Sequence, residues 1–216
     1  MGKLNQGILG GFSGTVGTVV GSTNKKGEDI IRAKSKKARQ ASSVEQVIQQ
    51  TKFSLTTIFM QAVNPILKIG MKQIAEKESI SAFNYACRHA LKNAVTGTDA
   101  QPELDFSRII LSDGNLSRIA GVTAEKDANM IKFSWTDDIE NITGAITDKV
   151  SIVVYNVTNS ELSFSMGEIL RSAKTATLPI PYSELDDKLV FYLFFQSATN
   201  PAAVSTSQYL GSLTIE

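Results

Sequence analysis

The sequence predicts an α+β chain in which an N-terminal β-hairpin arm and a small helical unit precede a C-terminal β-sandwich. Three observations predict it. Residues 7–21 hold six glycines set among β-branched residues, a composition that disfavours helix because each interior glycine costs about 1 kcal/mol relative to alanine. From position 43 apolar residues recur at steps of three and four, which is the helical period. Beyond Gly97 the style changes to short alternating or apolar runs separated by turn residues, as in an all-β domain.

Within the arm, 15–20 reads as a strand, Asn24-Lys25-Lys26-Gly27 as a turn and 28–33 as the returning strand. A lone hairpin is marginal in water, so the arm needs something to pack on. Residues 34–41 form a basic linker. At Ser42-Ser43-Val44-Glu45 a capping box is expected, with the Ser42 hydroxyl and the Glu45 carboxylate answering amide donors at a helix start. Val44, Val47, Ile48, Leu55, Ile58, Phe59, Ala62 and Val63 then define one apolar stripe of a helix over about 43–63. Asn64-Pro65 ends it, because proline removes a donor and disfavours helical geometry in the residue before it. Two shorter helices follow over about 66–77 and 80–95, the latter with Phe83, Cys87, Ala90, Leu91 and Ala94 on one face.

Candidate strands in the second half are 107–111, 117–124, 130–136, 149–156, 175–179, 189–196 and 209–215. Seven short strands at this spacing predict a sandwich of immunoglobulin or fibronectin-III type. In 130–136 the residues Ile131, Phe133 and Trp135 alternate with Met130, Lys132 and Ser134, which directs Trp135 into the core. The expected organisation is therefore an arm and linker over 1–41, a helical unit over 42–98 and a sandwich over 99–216 that folds without the front half.

Charge divides at the same place. Residues 1–98 carry 14 Lys/Arg against 5 Asp/Glu, and residues 99–216 carry 8 against 16, so a net +1 hides halves of +9 and −8. A basic half fits contact with nucleic acid or another polyanion, or attraction between opposite halves of neighbouring copies. Seven cations, Lys25, Lys26, Arg32, Lys34, Lys36, Lys37 and Arg39, fall within fifteen residues. They are the candidate polyanion or subunit contact. No aromatics interleave with them, so base stacking and sequence readout are not expected.

Catalytic and metal chemistry find little support. His89 is the only histidine and Cys87 the only cysteine, and two residues two apart on a helix do not share a face. One histidine and one cysteine cannot complete a zinc site. The carboxylates of 137–141 lack the spacing and glycine of an EF-hand, and both they and Asp186-Asp187 read as solvated turns. The glycine-rich start lacks a phosphate loop's Gly-Lys-Ser/Thr ending. Neither a catalytic residue nor a cofactor is expected. A single cysteine argues against a disulfide scaffold. The start of the chain lacks the apolar core of a secretory signal, no run reaches the roughly 20 apolar residues of a membrane span, and Gln6 stands where a myristoylation motif needs Ser or Thr. The expected location is a virion or the cytoplasm.

Several stretches carry a resemblance that spans nearly the whole chain: Gly7-Ile8-Leu9-Gly10-Gly11-Phe12-Ser13-Gly14, Val16-Gly17-Thr18-Val19-Val20-Gly21, Gln50-Thr51-Lys52-Phe53, Phe133-Ser134-Trp135-Thr136-Asp137 and Tyr209-Leu210-Gly211. They resemble a family of uncharacterised Bacteroidota proteins of about this length, which implies no activity, cofactor or catalytic residue. Between Arg32 and Phe53 the chain is more loosely similar to phage and prophage structural proteins, with glycine-rich residues, a basic segment and a Gln-rich helix in succession. Those proteins place an Asn-Pro turn where this chain has Arg39-Gln40-Ala41-Ser42-Ser43. The function expected is a non-enzymatic structural or assembly protein, a virion or phage-derived particle component such as a head, connector or tail accessory. Its partners would be copies of itself or other particle proteins. The alternative is a cytoplasmic module that binds nucleic acid or another polyanion through residues 25–39.

Overall fold

A computed structural model describes residues 3–4, 11–24, 27–35, 41–136 and 144–215, in two compact units that part between Ser43 and Val44. The described residues make a mixed α/β protein with an N-terminal sheet, four helices and C-terminal antiparallel sheets.

In the first unit β1 (Lys3–Leu4), β2 (Phe12–Val16), β3 (Val19–Thr23) and β4 (Asp29–Ala33) form an antiparallel meander in that order. The expected hairpin is thus a four-stranded sheet, and the expected strand over 15–20 is split. The chain reverses at Gly17-Thr18, between paired Val16 and Val19. A two-residue hairpin loop needs positive φ, and Gly17 supplies it at +56°. The second turn stands where the sequence puts it, with the Gly27 amide donating to the Asn24 carbonyl at 3.1 Å.

The second unit opens with α1 (Val44–Ala62), α2 (Asn64–Gly70), α3 (Lys72–Lys77) and α4 (Ala82–Asn93). The break at Asn64-Pro65 falls as expected, with Pro65 in the first turn of α2. The expected helix over 66–77 is two pieces. Gly70 meets the backbone of a later segment so closely that a Cβ there would lie 2.3 Å from the Leu111 carbonyl oxygen, and the chain turns at buried Met71. Ser81 caps α4, its Oγ accepting from the Asn84 amide at 3.1 Å. A short hairpin, β5 (Val95–Gly97) and β6 (Pro102–Leu104), follows.

Seven more strands make two antiparallel sheets. One has the order β11-β8-β7, from β7 (Thr123–Asp127), β8 (Met130–Ser134) and β11 (Thr175–Pro179). The other has the order β10-β9-β12-β13, from β9 (Lys149–Asn156), β10 (Leu162–Leu170), β12 (Lys188–Gln196) and β13 (Gln208–Thr214). Ile131, Phe133 and Trp135 are buried as their alternation predicts, and the Trp135 indole donates to the Arg171 carbonyl at 2.9 Å. Two expectations fail. Residues 107–111 are a 3-10 turn (Phe106–Arg108) and an unpaired extended segment, in which the Leu111 amide bonds to Ser207 Oγ at 2.8 Å instead of to a strand neighbour. Of 117–124 only the end joins a strand, and β10 was not expected.

Two strands decide how the layers stack. Along β9 the residues Val150, Ile152 and Val154 face the three-stranded sheet, where they pack with Phe133 and Leu178, while Val153 and Tyr155 face the helices and pack with Phe59, Met60 and Cys87. In β12, Leu189, Phe191, Leu193 and Phe195 face the first core and Val190, Tyr192 and Phe194 the second. Helices, four-stranded sheet and three-stranded sheet are therefore three layers with two apolar cores between them. Residues from Val44 onward thus form one unit, where a helical unit over 42–98 and a separate sandwich over 99–216 were expected. The physical reason is that a sheet with apolar residues on both faces must be covered on both.

Candidate functional site

Of the seven cations singled out by sequence, Arg32 and Lys34 are described and both are exposed. Two apart in extended chain, they share one face of the sheet, and Glu28 and Ile30 lie on that same face. Lys25, Lys26, Lys36, Lys37 and Arg39 lie outside the described residues. So does the carboxylate cluster at 137–141.

The strongest surface feature is one the sequence displays and the chain's own core leaves unused. The core side of α1 is formed by Thr56, Phe59 and Met60, continued by Val63. Phe59 and Val63 of the expected stripe lie on this core face, and Ala62 packs at its edge; at 100° per residue the face is centred about 100° around the helix from the rest of the stripe, Val44, Val47, Ile48, Leu55 and Ile58. Val44 is consequently 73% exposed, Val47 50% and Ile58 53%. Leu55 and Ile58 edge a groove of 310 Å³ with Phe59, Phe106 and Tyr155 among its walls. On another side of the helix Phe53, 53% exposed, joins Phe83 and Leu91 of α4 around a second groove of 460 Å³, with Arg88 and Lys92 at its rim. Arg88 is also paired with Glu78 and stacks on Tyr85 at 5.1 Å.

The sequence did not mark Phe53, Ile30 or Ile31 as candidate contact residues. Ile30 and Ile31 are neighbours in β4, 46% and 65% exposed on opposite faces. Their signal is the failure of alternation: two adjacent apolar residues in a short strand make both faces apolar.

Cys87 and His89 do not form a reactive pair. Cys87 is buried in the helix–sheet core, and burial pushes its thiol pKa up to about 11, which leaves it protonated and unreactive at neutral pH. Burial also lowers the His89 pKa, so the imidazole is neutral there. Alkylation of Cys87 by iodoacetamide at pH 8 is expected to lag until the protein is denatured; rapid labelling of the folded chain would contradict this placement.

Two buried carboxylates tie segments together. Asp187, expected in a solvated turn, accepts from Asn156 Nδ2 at 2.7 Å and from the Glu184 amide at 2.9 Å, and the Asn156 bond holds its pKa below the usual carboxylate range. Asp148 lies 3.9 Å from the buried Arg171 guanidinium and accepts from the amides of Ala145 at 2.8 Å and Ala198 at 3.4 Å. Arg171 also lies 4.8 Å over the Phe195 ring. Among the described residues no group of three or more His, Cys, Asp or Glu could hold a metal, and no helix is long and apolar enough to cross a membrane.

A family of unknown function (DUF6266) matches residues 11–211. None of the curated proteins matches the chain. A match of that extent assigns membership: the chain belongs to this family.

Proposed function

We propose that this member of the DUF6266 family is a non-enzymatic structural protein of a multi-subunit assembly, docking through its N-terminal sheet and its helices. The observation that carries the reading is α1, whose apolar stripe continues at helical period over residues that the chain's own core does not cover. Exposed apolar surface concentrated in this way marks a protein contact. Halves of +9 and −8 add a means for neighbouring copies to attract. The form of assembly that the sequence resemblance favours is a virion or phage-derived particle, with the protein as a head, connector or tail accessory. A fibronectin-III character for the sandwich is supported by where the fourth strand lies. The fourth strand of an immunoglobulin constant domain joins the sheet of the first, second and fifth. Here β10, fourth of the seven, pairs with β9, the third.

The test is sedimentation velocity on the full chain over a wide concentration range. Self-association beyond a dimer is expected, and Val47→Asp with Ile58→Asp should abolish that higher association. Far-UV circular dichroism should stay unchanged, since exposed substitutions alter stability by only about 0.5 kcal/mol. A chain that stays monomeric at every concentration, or a double variant that associates as before, would count against the reading.

The second reading, a nucleic-acid or polyanion-binding module, is favoured by the exposure of Arg32 and Lys34 on one face. It predicts a gel shift that weakens steeply with salt and is lost when Lys34, Lys36, Lys37 and Arg39 are replaced by Ser.

A further inference from the structure

We infer that β4 is a self-complementary edge through which two copies of the chain join their N-terminal sheets, antiparallel and centred on Ile31. This deepens the assembly reading and rests on it, naming a second copy as partner and a strand as the contact.

Strand β4 ends the order β1-β2-β3-β4, and among the described residues it pairs only with β3. Its main chain is polarised by that pairing. Glu28 at one end accepts from the Asn24 amide at 2.9 Å, and Lys34 at the other donates to the Thr18 carbonyl at 2.7 Å. Residues of an antiparallel strand alternate between bonding a neighbour and facing away from it, and the register between these two ends is unbroken. Even-numbered residues of β4 therefore bond inward to β3. Asp29, Ile31 and Ala33 turn their amides and carbonyls outward, which is a ready template for another strand.

Natural edges are commonly protected by charge of one sign, which repels a copy. The charges here run differently along the strand: Glu28 and Asp29, then Ile30 and Ile31, then Arg32 and Lys34. Reversed and laid alongside itself, this order places acid opposite base. A two-fold axis perpendicular to the sheet keeps each residue on its own face, so position i faces position j with an even sum, and the fully overlapped register is centred on Ile31. Asp29 then faces Ala33 and Ile31 faces Ile31, exchanging about six main-chain hydrogen bonds through the outward groups. Glu28 faces Lys34 at both ends, in positions that exchange no hydrogen bond and whose side chains approach most closely. The exposed Ile31 side chains, 65% accessible in one copy, cover each other across the axis. Such an interface is isologous and closes at two copies, whereas pairing of β4 with a partner's β1 would be head-to-tail and open-ended.

The experiment measures the dimer dissociation constant of the full chain by sedimentation, in the wild type and in the Val47→Asp/Ile58→Asp background. A dimer-forming step is expected in both, followed by higher association in the wild type alone. Glu28→Lys sets like charges opposite each other at both ends and should weaken the dimer by about tenfold. Glu28→Lys with Lys34→Glu restores opposite charges in reversed order and should return the constant to near the wild-type value. The Asn24–Glu28 side-chain bond, 2.6 Å, is lost in both variants, so recovery isolates the contact between copies. An unaffected dimer in Glu28→Lys, no recovery in the double swap, or growth past the dimer in the Val47→Asp/Ile58→Asp background overturns the strand pairing. If, in addition, the wild-type chain still associates and the α1 variants still reduce it, the assembly reading survives that failure.

Discussion

A fragment of residues 99–216 expressed alone will give no cooperative melt, whereas a fragment of residues 44–216 will melt as one unit. Without the helices, the four-stranded sheet presents Val153, Tyr155, Val190, Tyr192 and Phe194 to water, all of which are buried in the intact unit. At about 2 kcal/mol for each such side chain the loss is about 10 kcal/mol, which is of the order of a domain's whole stability. Binding of a hydrophobic dye, loss of near-ultraviolet circular dichroism and aggregation are the expected readouts for the shorter fragment. A sharp thermal transition from 99–216 alone would mean that the helices are dispensable and that the sheet tolerates a bare outer face.

Asp148→Ala should be the most damaging single substitution outside the apolar cores. It leaves the Arg171 guanidinium, 1% exposed, without the carboxylate 3.9 Å away, and it removes the acceptor of the Ala145 and Ala198 amides. Weakening this buried pair and removing the acceptor of two amides together cost about 3 kcal/mol. For a unit of this size that corresponds to a fall in Tm of about 10 °C. Asp148→Asn keeps an oxygen acceptor and loses the charge, so it should fall between the wild type and Asp148→Ala. Differential scanning calorimetry of the three proteins reads the order, and equal melting temperatures for all three would show that the carboxylate carries no stability.

Much of the fold was legible because local and global preferences agree where it was read correctly. Strands β9 and β11 have the expected ends, and the Asn64-Pro65 break and the face of α4 carrying Cys87 and Ala90 were set by proline chemistry and helical period. Strand β10 escaped because its alternation is inverted: Phe164 is exposed and Ser165 is buried, and a register shift around Gly167, at φ +70°, interrupts it. The union of helices and sheet escaped although its signal was present. The unbroken apolar runs of 152–155 and 189–195 are what a strand covered on both faces looks like, and the expectation of a free-standing sandwich passed over that signal. For the candidate surface, the period of α1 gave the stripe but not the face. Which side of a helix turns inward depends on what packs against it, here Tyr155 and Phe106 around Phe59 at 4.8 and 5.4 Å. The charge order along β4 was in the sequence from the start, but its meaning depends on which edge of the sheet is open.

The two-sided burial of β9 and β12 also shapes how the chain is made. A ribosome releases α1 to α4 first, and roughly 100 residues of further synthesis separate the end of α4 from the end of β12, about 5–20 s at ordinary elongation rates. Throughout that interval the nascent helices hold Phe59, Met60 and Ile66 against nothing they will finally touch in β12. A premature stop between the end of α4 and residue 196 therefore releases a polypeptide with a sticky helical surface, and cells producing it would depend on chaperones to keep that surface from coalescing.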